Sequence, residues 1–241
     1  MPVIIRNKKG FTLVELALVI VVIAIIATTV AAGSGIVKQF KLRLVTVELS
    51  NYKTMITQFK MQYNALPGDM NNASSYWGGA TNGNGDKLIN SFNESYHAWQ
   101  HLNKAGLITK IPYNGALSGS LPSSALSKNS SYFIYNLSSQ IYQDPGSLPS
   151  SLAIHIVNRA QPTANWIFML PRVGTTNAYN IDNKIDDGLA SRGKLFGSAS
   201  AAGYFCALKK HNLTPAVRIN TDVAIYDLTN NGTCLLTYYI N

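Results

Sequence analysis

The chain has 241 residues, two cysteines, 46% hydrophobic residues and a formal charge of +9, with a pI near 9.5. That length leaves room for one globular domain of ordinary size beside a long helix, and two thiols without companion ligands are too few for a cysteine-based metal site. The positive excess favours anionic partners such as DNA or acidic surface polymers, although a mildly basic solvated surface is the better account of it.

In chain order, Arg6, Lys8 and Lys9 come first, with no acid among them, and then Gly10. From Phe11 to Ala32 there are 22 residues with one charge, Glu15, and neither proline nor glycine. About 20 apolar residues suffice for a helix to cross ~30 Å of hydrocarbon, so this stretch is predicted to span a membrane. The basic residues on its N-terminal side hold that end in the cytoplasm and send the rest of the chain outward. No A-x-A-like cleavage site follows the apolar run. The break is Gly10, on the cytoplasmic side, where a cut removes the basic leader and keeps the helix. Glu15 also needs explaining, because a carboxylate inside a bilayer costs at least ~2.5 kcal/mol and is usually paired. A cut after Gly10 creates a partner, the new α-amino group on Phe11.

The run Lys8-Lys9-Gly10-Phe11-Thr12-Leu13-Val14-Glu15-Leu16 resembles the prepilin signature of type IV pilins and type II secretion pseudopilins, closely from Lys8 to about Val22. The resemblance implies that prepilin peptidase cuts between Gly10 and Phe11, that its N-methyltransferase activity methylates Phe11, and that Glu15 guides the mature subunit into a filament. It implies an α+β, pilin-like fold: a leader over 1–10, a long N-terminal helix over 11–64 with 11–32 in the membrane, and a head over 65–241 with an antiparallel sheet. A plain membrane anchor with an incidental glutamate explains neither Gly10 nor the placement of charge. Loss of the leader brings the net charge to near +6.

Gly33-Ser34-Gly35 marks a soft point, but beyond it Leu42, Val45, Leu49, Tyr52, Ile56, Phe59 and Tyr63 recur at steps of three and four. That is one helical stripe, which in the pilin fold lies against the sheet of the head. Pro67-Gly68 is predicted to end the helix. Residues 66–93 read as loops, and Asn82-Gly83-Asn84-Gly85-Asp86 superficially resembles a calcium loop. It has one carboxylate, Asp86, and no acid at the twelfth position, so it reads better as a series of turns. Glu94 to Ala105 is predicted as a helix ending at Gly106, with Tyr96, Trp99, His101 and Leu102 as packing contacts. His97 and His101 stand four apart without a third ligand, so packing or surface roles are favoured over zinc.

Residues 107–130 read as an irregular connection. Strand composition follows at Tyr132–Leu137, Leu152–Val157, Trp166–Leu170, Tyr204–Leu208, Val217–Leu228 and Cys234–Ile240. An Asn-Gly step between the last two predicts a terminal hairpin. Between these runs, Thr176 to Gly188 reads as a short helix with Asp182, Asp186 and Asp187 at its end, where the helix dipole disfavours acids unless a cation is near. Lys184, Arg192, Lys194 or a bound ion would answer that need. The segment resembles one in longer pilin-like proteins. Asp86 and this trio are the calcium candidates, and no cofactor is expected. Cys206 and Cys234 lie outside the cytoplasm on this topology, so a disulfide is expected, as in many pilins.

No phosphate loop, metalloprotease histidine pair or other spaced catalytic motif is present, so an enzyme is not expected. The expected role is a filament subunit held in the bacterial inner membrane with its head in the periplasm, later in a pilus or at the cell surface, assembled with other pilin subunits. The large head points to a minor or tip pilin serving adhesion or DNA uptake. A type II secretion pseudopilin and a membrane-anchored module binding DNA or surface glycans are the alternatives.

Overall fold

The structure, a computed structural model, describes residues 10–109, 121–137, 151–158, 173–190, 193–198, 206–209, 224–229 and 232–240. It divides at Lys41/Leu42 into two units. Helix α1 runs from Leu13 to Tyr63, and its residues up to Lys41 make up the described helix of the first unit. It is unbroken through Gly33-Ser34-Gly35, so the expected soft point is not a break. In the first unit the apolar side chains from Leu13 to Val30 are exposed to solvent, as none has a protein surface to cover it. The helix is long and apolar enough to cross a membrane.

In the second unit, α1 buries the stripe its sequence predicts. Leu42, Val45, Leu49, Ile56 and Phe59 are all buried, with Tyr52 and Tyr63 packed at the edges of the core. The helix stops at Tyr63 because Asn64 adopts φ +51, a left-handed conformation that asparagine tolerates at a helix end. Pro67-Gly68 therefore lies beyond a stop already made. Short helix α2 (Ala73–Tyr76) follows, then α3 (Phe92–Lys104). Helix α3 starts two residues earlier than its composition suggests, because Ser91 and Glu94 form a capping box. Its inward face carries Tyr96, Trp99, His101 and Leu102, all buried.

The sheet consists of β1 (Ser123–Ser124), β2 (Ser127–Leu137), β3 (Ser151–Asn158), β4 (Val173–Gly174), β5 (Leu195–Ser198) and β8 (Thr233–Tyr239). Its order is β1-β2-β3-β8-β4, with β5 also on β8, and each of these pairings is antiparallel. Tyr52 of α1 meets Trp99 of α3 and Tyr132 of β2 edge-on, each at 5.0 Å between centroids. Glu48 adds a polar tie from helix to sheet. Its Oε2 accepts from the Tyr132 hydroxyl at 2.6 Å and from the Ala125 N–H at 3.2 Å. The fold is thus α+β and pilin-like, with a long N-terminal helix and an antiparallel sheet.

Two expectations need correction. The connection over 107–130 is not irregular throughout, since β1 and the first residues of β2 fall within it, where Ser127 pairs with Ser124 of β1 and Ser130 and Ser131 pair with Asn158 and Val157 of β3. Among the described residues the terminal hairpin does not form either. Strand β7 (Ala224–Tyr226) pairs with β6 (Ala207–Lys209), because β8 is already flanked by β3 on one side and by β4 and β5 on the other. The run Trp166–Leu170 and residues 204–205 and 217–223 lie outside the described residues. Helix α4 (Thr175–Ile185) sits in the predicted place, and Gly188 follows it at φ +74.

Candidate functional site

The N-terminal junction is built from Gly10 to Glu15. Gly10 and Phe11 are exposed and precede the helix. Thr12 then caps it. The Glu15 N–H donates to Thr12 Oγ1 at 3.2 Å, and Glu15 Oε2 accepts from the Thr12 N–H at 2.8 Å and from its hydroxyl at 2.9 Å. This reciprocal pair satisfies two donors that a helix start otherwise leaves open. Both bonds to the carboxylate fall on Oε2. Glu15 is thereby held at the first turn, where the helix dipole favours a negative charge. The Thr-x-x-Glu spacing of the sequence signals such a box, so Glu15 has a local partner as well as a charge to be offset. Residues 1–9, including Arg6, Lys8 and Lys9, lie outside the described residues.

The two cysteines, 28 residues apart, are joined in a disulfide. Cys206 directly precedes β6 and Cys234 lies in β8, so the bond ties the small β6–β7 ladder to the main sheet. Both are fully buried.

The calcium candidates separate. Around Asp86, the side chain closes a turn: Oδ1 accepts from the Leu88 N–H at 2.8 Å, and Oδ2 accepts from the amides of Asn84 and Asn90 at 3.1 and 2.9 Å. Both oxygens are engaged by protein donors, which supports the turn reading. At the end of α4, Asp182, Asp186 and Asp187 each bring a carboxylate oxygen within 4.8 Å of the others. Burial pushes the Asp182 carboxyl up to about 7; the Asp187 and Asp186 charges add to this, and the Tyr226 hydrogen bond opposes it.

The histidines serve packing. Gly68 N–H donates to His101 Nδ1 at 2.8 Å, so Nε2 carries the proton and donates to the Thr81 carbonyl at 2.7 Å. Both ring nitrogens are thus used to fasten the 66–90 loops to α3. Burial holds the His101 ring down to about 4. Gly68 itself must be glycine: at φ +87, a Cβ would lie 2.1 Å from the Glu94 carbonyl. His155, on β3, is fully buried and bonded through Nδ1 to Thr237 Oγ1 at 3.0 Å. The histidine staple and the Glu48 tie join residues far apart in the chain, and no spacing rule announces them.

Residues 5–31 match the family described as the prokaryotic N-terminal methylation motif. No curated protein and no solved structure matches the chain. The matched motif carries the prepilin signature of type IV pilins and pseudopilins and supports a prepilin-peptidase type of substrate. An apolar N-terminal helix fits the same membrane-anchored class.

Proposed function

We propose that the chain is a subunit of a type IV pilus-like filament, made as a prepilin with a leader over residues 1–10, a helix over 11–64 and a head over 65–241. Before assembly it sits once through the inner membrane with its head in the periplasm. Prepilin peptidase removes the leader between Gly10 and Phe11, and Phe11 is methylated. The observation that carries this reading is the order of parts within the matched motif: basic leader, Gly10, then an uncovered apolar helix that keeps one acid in its first turn.

Assembly then follows from physical chemistry. Apolar helices exchange lipid for one another, and the acid decides their register. Glu15 Oε1 lies outside the capping box and pairs with the terminal amine of a neighbouring Phe11, which offsets the cost of a charge in hydrocarbon. The size of the head supports a minor or tip position, with adhesion or DNA uptake as the task. The test is incorporation of variants into sheared surface filaments. Glu15→Ala should still lose its leader yet enter filaments at a small fraction of the normal level, whereas Gly10→Val should keep its leader and stay in the membrane. Normal incorporation of Glu15→Ala would contradict the assembly mechanism, and filaments confined to the periplasm would favour a pseudopilin.

A further inference from the structure

The three aspartates at the end of α4 stand where their charges are least welcome. The C-terminal end of a helix carries partial negative charge, and three carboxylates gathered within 4.8 Å repel one another. The donors that reach them among the described residues carry no charge. Tyr226 Oη donates to Asp182 Oδ2 at 2.9 Å, the Leu189 N–H donates to Asp187 Oδ1 at 2.9 Å, and the Lys194 N–H donates to Asp186 Oδ2. Each acid thus spends one oxygen on a neutral protein donor.

The second observation concerns the other oxygen of the innermost acid. Asp182 is 0% exposed, and its Oδ1 is buried with no hydrogen-bond partner. The Gly188 amide acts on the same carboxylate and opposes the upward push of burial. A buried acceptor left unsatisfied is costly, and more so when it is charged. The group is therefore half bonded, and a carboxylate oxygen of each of two further acids lies within 4.8 Å of it. An all-oxygen donor set with several carboxylates is the chemistry of a hard divalent cation, and variable coordination at a mixed buried and exposed site suits calcium better than magnesium.

We propose that Asp182, Asp186 and Asp187 form a calcium site, with Asp182 Oδ1 as its buried ligand, Asp187 closing it from the solvent side and water completing the shell. The ion joins the end of α4 to β7 through Tyr226 and to the Gly193-Lys194 turn through Asp186. Affinity belongs in the range of extracellular modules, with Kd on the order of 10⁻⁴ to 10⁻³ M. The inference is independent of filament assembly, since it concerns the head alone.

The test uses the full chain in detergent, stripped with chelator and titrated with calcium chloride by calorimetry. In parallel, terbium luminescence is excited through tyrosine, because Tyr226 bonds directly to Asp182. One calcium per chain is expected, with a terbium signal that calcium displaces. Asp187→Asn should weaken calcium binding at least about tenfold, and Asp86→Asn, at the turn whose oxygens are already engaged, should leave it unchanged. Absence of both heat and luminescence at several millimolar ion would overturn the site, leaving Asp182 as a protonated structural group. Equal affinity in the wild type, Asp186→Asn and Asp187→Asn would overturn it too. Because Asp187 is exposed, that variant remains decisive even if Asp182→Asn fails to fold.

Discussion

Helix α1 is one continuous element written in two kinds of sequence. From Leu13 to Val30 its apolar residues lie on all sides and stay uncovered, while from Leu42 to Phe59 one stripe of them is buried, to the last atom at Val45, Leu49 and Phe59. Backbone hydrogen bonds are the same in both halves, so continuity of the helix says nothing about its surroundings. The distribution of side chains does. An all-round apolar helix needs a solvent that is itself apolar, whereas a striped one needs a single partner surface.

Mutations should expose this difference most strongly at Phe59, which packs with Tyr63, Trp77 and His101. Phe59→Ala should cost the head roughly 3 to 5 kcal/mol, read as a shift in the denaturation midpoint of the detergent-solubilised chain. Ile20→Ala, in the uncovered half, should leave that midpoint unmoved; a comparable fall would erase the contrast between the halves. Next in size is the disulfide. Replacing Cys206 and Cys234 together by serine should cost about 2 to 4 kcal/mol, again in the head alone, with membrane insertion unaltered.

Acid should act on the head through its buried histidines. Burial holds His101 and His155 down to about 4, against an ordinary value of 6.5. Between these values the unfolded chain binds the extra protons, so stability is fully present above about pH 6.5 and is lost as pH falls toward 4. Each histidine contributes a slope of up to about 1.4 kcal/mol per pH unit within that window. His155→Leu should remove one share of the slope, and an unchanged acid profile would contradict the assignment. The smallest effect compares two capping boxes. Ser91→Ala should cost the head ~1 kcal/mol, whereas Thr12→Ala, which removes the same chemistry from the start of α1, should leave head stability unchanged in the same denaturation experiment.

The sequence made local features legible and hid those that depend on closure. The α1 stripe, the inward face of α3 and the site of α4 all follow from periods and stop signals carried within each segment. Strand partners do not. The Asn-Gly step before Thr233 suggested a hairpin, but three other strands claim the flanks of β8, and β7 pairs with β6 instead. Serines in β1 and β2 concealed strands because pairing, not propensity, placed them there. At the N-terminal junction, charge order sets Gly10 apart as a break and bilayer physics sets Glu15 apart as a costly acid. The capping role of Thr12 was also written in its spacing with Glu15, overshadowed by the acid's more conspicuous cost. The separation of Asp86 from the Asp182 trio needed coordinates, since only they show which carboxylate oxygens are already taken.

The most direct test of the account is the intact mass and N-terminal sequence of the protein recovered from membranes of cells with an active prepilin peptidase. The account predicts a chain that begins at N-methylated Phe11 and retains the whole of α1. A chain that begins at Met1, with Gly10 and the basic leader still attached, would contradict it and leave an anchored head with no route into a filament.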